Sequence, residues 1–168
     1  MSAIPPLQRL AARIGSAVEL APDAMALEVQ AALGEATAQP DWLPAERRRA
    51  SHDHYARHLL YGDPAGRYSI LAIVWDHGQM SPVHAHCCWC SVGVYQGELS
   101  ESYYREAAGG GVPVLVRTTR RTAGALSFDP AASGIHRIAN ESGGPAVSLH
   151  IYGVARDRIS TGVNRLLA

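Results

Sequence analysis

Eight histidines are spread over this chain, at positions 52, 54, 58, 77, 84, 86, 136 and 150. Imidazole is the commonest side-chain ligand for metals, so the spacing of these residues comes first. His84-Ala85-His86 follows a strand-like run and a turn. Side chains at i and i+2 of a strand share a face, so these two rings can point together. A third ligand must come from elsewhere, and His136, in Gly134-Ile135-His136-Arg137-Ile138, lies in another strand-like run. Three neutral nitrogen ligands leave open positions on a divalent metal, the condition for catalysis rather than for a closed structural site. His52-Asp53-His54 is a second such pair, followed by His58. Its setting is Arg-rich and no third ligand is indicated, so surface or supporting positions are expected there. His77 falls on the turn before the first pair and carries no assigned role.

Ser148, His150 and Tyr152 alternate in Ala146-Val147-Ser148-Leu149-His150-Ile151-Tyr152, which puts all three on one face of a strand. A hydrogen-bonded row is sterically reasonable, and a plain half-buried strand is the alternative. Cys87, Cys88 and Cys90 crowd into four positions and are odd in number, which is no disulfide framework. A reducing compartment is the simpler setting. Cys87-Cys88-Trp89-Cys90 has CxxC spacing, a weak signal for a redox or zinc half-site without a second cysteine pair.

The elements that must position these residues fall into two textures. Residues 5–60 read as helical, with Leu7, Leu10, Ala11 and Ile14 at helical spacing, then Met25, Leu27, Val29, Ala32 and Leu33. Asp23 is a candidate helix cap, and Asp41 or Pro44 a candidate start for a third helix running towards the fifties. The run Arg47-Arg48-Arg49 reads as a solvated helix face. From residue 68 short strand-like runs recur, near 68–75, 91–96, 98–105, 112–119, 124–129, 134–138 and 146–153, punctuated by Gly and Pro. Such a series indicates a β-sandwich or barrel. The tail, 156–168, adds a strand or a short helix.

Composition narrows the function classes. The chain has 168 residues, one domain's worth, and 47% of them are hydrophobic, enough for a core. Fifteen basic residues balance fifteen acidic ones, so no surplus charge grips a phosphate backbone, and nucleic-acid binding is not expected. Every basic residue is Arg, which excludes lysine Schiff-base chemistry. No stretch approaches the length of a membrane helix and no signal-peptide run is present, so a cytoplasmic protein with no membrane partner is expected.

Gly78-(x5)-His84-x-His86-(x3)-Cys90-(x6)-Gly97 resembles the first signature of the cupin barrels, with Cys90 where many cupins place a metal-binding Glu. Pro130-(x5)-His136-(x3)-Asn140 resembles the second. Four segments then resemble the cysteine dioxygenase family of cupins, in a bacterial-type form: Tyr55–Tyr61, Trp75–His86, Gly134–Asn140 and Ala146–Gly153. The resemblance implies a mainly β cupin (double-stranded β-helix, jelly-roll-like) barrel with N-terminal α-helices. The whole chain, 1–168, would be one such domain, with a helical cap over about 5–60 and the barrel over about 66–155. It implies Fe(II) held by His84, His86 and His136, where a small thiol and dioxygen meet and both oxygen atoms pass to sulfur, giving a sulfinate. It implies a relay in which Ser148 orients His150 and His150 orients Tyr152.

Arg57 matches the position at which family members acting on cysteine tend to carry Arg, and its guanidinium offers a fork for a substrate carboxylate. Tyr55 matches a neighbouring substrate-side tyrosine. Mammalian-type members join a cysteine of this region to the relay tyrosine through a thioether. Cys90 is one residue short of that position counted from His86 and in register counted back from Gln96-Gly97, so a crosslink to Tyr152 and a buried free thiol both stand. Cys87, Cys88 and Ala85 depart from the family pattern. L-cysteine is the expected substrate. 3-Mercaptopropionate or mercaptosuccinate, and a metal-binding or sensing cupin without turnover, are the alternatives.

Overall fold

Both N-terminal helices begin on proline, whose fixed φ suits the first helical position and whose missing N–H is not needed there. The computed structural model describes residues 5–131 and 134–167. In it α1 is Pro6–Ala17 and α2 is Pro22–Ala38. Asp23 is not the cap expected of it. Ala21 holds that place, and Asp23 lies in the first turn of α2, where a negative charge suits the positive helix end.

The helical segment also ends sooner than its spacing suggests. Ala45–Arg48 forms a single 3-10 turn in place of a third helix, and Ala56–Gly62 is a strand, β1. β1 pairs antiparallel with β2 (Ser69–Trp75), setting Arg57 opposite Ile73 and Leu59 opposite Leu71. Ladder pairing along a neighbouring strand outweighs the weak local preference of this segment.

The remaining strands are β3 (His84–His86), β4 (Cys90–Gln96), β5 (Glu98–Arg105), β6 (Val114–Thr122), β7 (Leu126–Asp129), β8 (Ile135–Ala139), β9 (Ala146–Tyr152) and β10 (Asn164–Leu166). They form two antiparallel five-stranded sheets, in the orders β1-β2-β9-β4-β7 and β10-β3-β8-β5-β6. The C-terminal tail contains both elements expected of it, a short helix at Ile159–Gly162 and then β10. The architecture is therefore mainly β, with the helices on one side. Among the described residues no helix is long and apolar enough to cross a membrane.

The first sheet is buried on both faces, which is why β2 and β9 read as continuous apolar runs rather than alternating ones. Ile70, Ala72, Val74, Val147, Leu149 and Ile151 form one cluster with Leu10, Ile14, Val29 and Leu33 of the helices. Burying each large side chain contributes roughly 1.5–3 kcal/mol. The opposite face carries Leu71, Ile73, Ser148, His150 and Tyr152 into the barrel. α2 meets β4 at Gly93, where a Cβ would stand 2.9 Å from Thr37 Cγ2 and 3.0 Å from Leu33 Cγ. Gly93→Val should therefore lower stability by about 1–3 kcal/mol through overpacking. Thermal unfolding checks this, and an unchanged melting temperature would mean that α2 does not seat on β4 as described.

Candidate metal centre

Strand pairing assembles the three histidines that the sequence singles out. His84 of β3 is the direct register partner of His136 of β8, and His86 lies two residues further along the same face. All three are buried. The Nε2 atom of His136 lies 3.1 Å from that of His84 and 3.4 Å from that of His86. The three rings offer ligand atoms that all fall within 4.8 Å of one another.

Each ring's other nitrogen already has a partner that can only accept. His84 Nδ1 donates to the Pro82 carbonyl at 2.9 Å. His86 Nδ1 donates to Asp129 Oδ2 at 3.0 Å, and His136 Nδ1 to Glu101 Oε1 at 2.8 Å. A carbonyl or carboxylate fixes the proton on Nδ1, so each Nε2 presents a lone pair. Burial first, and then the neighbouring His136, push His84 down to about 3, which keeps it neutral. The donor set therefore fits a divalent transition metal held by three neutral nitrogens, with positions left open.

Glu101 and Asp129 carry no signal in the linear motifs, yet they orient two of the three rings. Burial alone would raise the Glu101 carboxyl, but the contacts of His136, the Tyr103 hydrogen bond and the charge of Arg121 outweigh it and bring it to about 2. Arg121 Nε donates to Glu101 Oε2 at 2.9 Å, and its terminal nitrogen donates to the Tyr103 hydroxyl at 2.6 Å. Asp129 responds in the same direction: burial raises it, and the hydrogen bonds from His86 and the Ala131 backbone, with the neighbouring imidazoles, together more than offset this.

Ser148, His150 and Tyr152 form one hydrogen-bonded row. Ser148 Oγ lies 2.8 Å from His150 Nε2, and the Tyr152 hydroxyl lies 2.9 Å from His150 Nδ1. Trp75, which motif reading leaves without a role, sets its direction. Its indole Nε1 only donates, and it gives a hydrogen bond to Ser148 Oγ at 2.9 Å. Ser148 Oγ–H then has His150 Nε2 as its acceptor. Nδ1–H of His150 then donates to the Tyr152 oxygen, leaving the Tyr152 hydrogen free. Burial, reinforced by the three clustered histidines, holds His150 at about 3. Burial pushes the Tyr152 hydroxyl well above its ordinary value, so it stays protonated.

Two cavities flank the histidines. One is lined by all three, with Tyr55, Arg57, Trp75, His150, Tyr152 and Asn164. The other meets only His86 and His136 and is walled by Cys90, Glu101, Tyr103 and Asp129. Only the first of these two is lined by all three histidines together with Tyr152. Tyr55 stacks on Trp75 with ring centroids 4.5 Å apart, and the Arg57 guanidinium carbon stands 5.9 Å from the centre of the Tyr55 ring. Arg57 itself is exposed, at the mouth of that cavity.

Cys90 is the register partner of Tyr152 across β4 and β9, and both belong to one buried cluster with Cys88. Cys87 is exposed. Burial pushes the Cys88 thiol up to about 11 and Cys90 well above its usual range, the opposite of what a reactive redox pair needs. The second histidine group stays outside the cluster: His52 contacts Asp76, His54 contacts Ser51, and His58 lies on β1 near the Arg49 carbonyl. His77 contacts the Ser142 carbonyl. Asn140 ties the Trp75 carbonyl to that of Gly144, bracing the turn before the first pair.

The model of a family described as cysteine dioxygenase type I matches residues 26–161. Among solved structures, a double-stranded β-helix protein from Klebsiella pneumoniae is similar with a TM-score of 0.53 and 16% identity, covering 74% of this chain and 93% of that one. A cupin superfamily protein from Desulfitobacterium hafniense gives a TM-score of 0.52 and 16% identity, covering 70% and 92%. The oxalate decarboxylase of Lactobacillus farciminis gives 0.52 and 17%, covering 70% of this chain and 32% of its own. At these identities the likeness is one of fold, the cupin double-stranded β-helix.

Glu101→Gln keeps the shape of the group behind His136 and removes its charge. Metal affinity should fall roughly 10- to 100-fold, as for other partners of ligating histidines. Competition against a chelator of known affinity measures this, and an unchanged constant would free Glu101 of that role.

Proposed function

The chain belongs to the cysteine dioxygenase type I family, and from that premise we propose that it is a non-haem iron thiol dioxygenase that converts a small carboxylated thiol, L-cysteine foremost, to its sulfinate. The observation that carries this is the shared cavity: three histidines with convergent ring nitrogens and a tyrosine hydroxyl held by His150 line the same space. Fe(II) held by His84, His86 and His136 would supply the meeting point of thiolate and dioxygen and the spin change that lets them react. Three neutral ligands leave the substrate thiolate to supply negative charge there. The overall change, thiolate plus dioxygen to sulfinate, takes four electrons from sulfur and gives four to oxygen. It balances without a further reductant or a second organic cofactor.

The side chains divide the remaining work. The Arg57 guanidinium takes the substrate carboxylate in a bidentate pair at the cavity mouth, steadied by its contact with the Tyr55 ring. Tyr55 in turn rests on Trp75. Tyr152 donates its hydrogen towards the reacting sulfur and oxygen atoms, and His150 and Ser148 hold it there. The setting is a reducing cytoplasm, with thiol and dioxygen as the small-molecule partners.

Oxygen uptake by the iron-loaded protein against cysteine, 3-mercaptopropionate, mercaptosuccinate and cysteamine, with products weighed, tests the reading. A gain of two oxygens on cysteine is expected, and iron-replete silence on every thiol would favour a sensing cupin. In the same assay Tyr152→Phe should retain iron and lose about 100-fold in turnover; full activity would remove Tyr152 from the reaction. Because Cys90 faces Tyr152 across the ladder, we also propose a thioether between them, formed as dioxygen accepts the two hydrogens lost. Turned-over protein should then weigh two hydrogens less, and Cys90→Ser should abolish that loss.

A further inference from the structure

Asn164 opens β10, the short strand that ends the second sheet. It stands in direct register with His86, so its side chain projects to the same, inward face. It lines the cavity shared by Arg57, Tyr152 and the three histidines. Its Oδ1 is buried and has no hydrogen-bond partner among the described residues. Buried polar atoms in native proteins almost always have one, so a donor from a ligand is the natural completion.

The chemistry of the ligand class narrows that donor. A carboxylate only accepts, and a thiol that meets a metal as thiolate has given up its proton. Of the groups on a small carboxylated thiol, only an amine has N–H bonds left to donate. 3-Mercaptopropionate has no amine and would leave Oδ1 unpaired. Mercaptosuccinate would bring a second carboxylate, and Arg57 is the only Arg or Lys among the described residues lining the cavity.

We propose that Asn164 reads the substrate amine: its Oδ1 accepts a hydrogen bond from the amino group of a bound α-amino thiol acid while Arg57 holds the carboxylate. The pocket thereby selects cysteine-like substrates over thiols lacking the amine. The two contacts come from different sheets, Arg57 from β1 and Asn164 from β10. This rests on the thiol-binding reading of the site, but not on turnover.

The test is anaerobic calorimetric titration of iron-loaded protein with L-cysteine and with 3-mercaptopropionate, for wild type, Asn164→Ala and Asn164→Asp. Asn164→Ala should weaken cysteine binding about 10- to 100-fold, the usual worth of one hydrogen bond to a charged or polarised group. Its binding of 3-mercaptopropionate should stay within about twofold of wild type. Asn164→Asp, which keeps the acceptor, should retain cysteine binding, and retained 3-mercaptopropionate binding by Asn164→Ala shows that its loss for cysteine is not one of folding. Equal losses for both thiols, no loss for either, or a wild type that binds neither would overturn the proposal. A wild type that shows the expected pattern but consumes no oxygen would end the dioxygenase reading and leave the amine contact standing.

Discussion

An imidazole can offer a metal only one nitrogen, and does so only while its proton is held on the other. Here that requirement is met three times, by the Pro82 carbonyl, Asp129 and Glu101. The two carboxylates come from different sheets, Asp129 from the end of β7 and Glu101 from β5. Holding three protons in place thus binds the two sheets to one another across the barrel. A buried carboxylate is costly unless paired. Glu101 meets that cost with His136 on one oxygen and Arg121 of β6 on the other, so the centre reaches to the outer strand of its sheet.

The first sheet supplies the other half of the site through its register. One row runs Arg57–Ile73–Ser148 across β1, β2 and β9, and another runs Tyr152–Cys90–Asp129 across β9, β4 and β7. Side chains in a row share a face, so the relay, the candidate crosslink and the carboxylate behind His86 follow from one pairing pattern. The helices keep that pattern in place by covering the opposite face. Trp75 joins the two functions of the inner face: its ring carries Tyr55, and its N–H carries Ser148.

What the sequence made legible was what has local period. Alternation showed His84 with His86, and Ser148 with His150 and Tyr152, and punctuation by Gly and Pro marked most strands closely. Partners supplied by long-range register left no such trace. Glu101 sits within an ordinary strand pattern, and nothing nearby in sequence ties it to His136. The helical reading of residues 54–60 failed for a related reason: His54 and His58 are spaced like helix neighbours, but pairing with β2 fixes the segment as a strand. The tail was ambiguous because it holds a helical turn and a three-residue strand, each too short to declare a period. Asn164 was hidden with it.

The direction of the relay is set by which atoms lack a choice. Ser148, His150 and Tyr152 can each donate or accept, so the three alone would allow the chain of hydrogen bonds to run either way. Trp75 can only donate, so it takes one lone pair of Ser148, and His150 Nε2 is then the acceptor beside the Ser148 hydrogen. A charged His150 would reverse its link to Ser148, since both its nitrogens would donate and Ser148 would have to accept twice. Burial and the neighbouring imidazoles oppose that charge, and a metal among those imidazoles would oppose it further. With that direction the hydrogen left uncommitted is that of Tyr152, at the wall of the cavity that the three histidines also line. An indole on one lone pair of the serine, with a neutral His150 beyond it, thus favours the direction in which Tyr152 keeps its hydrogen for the cavity.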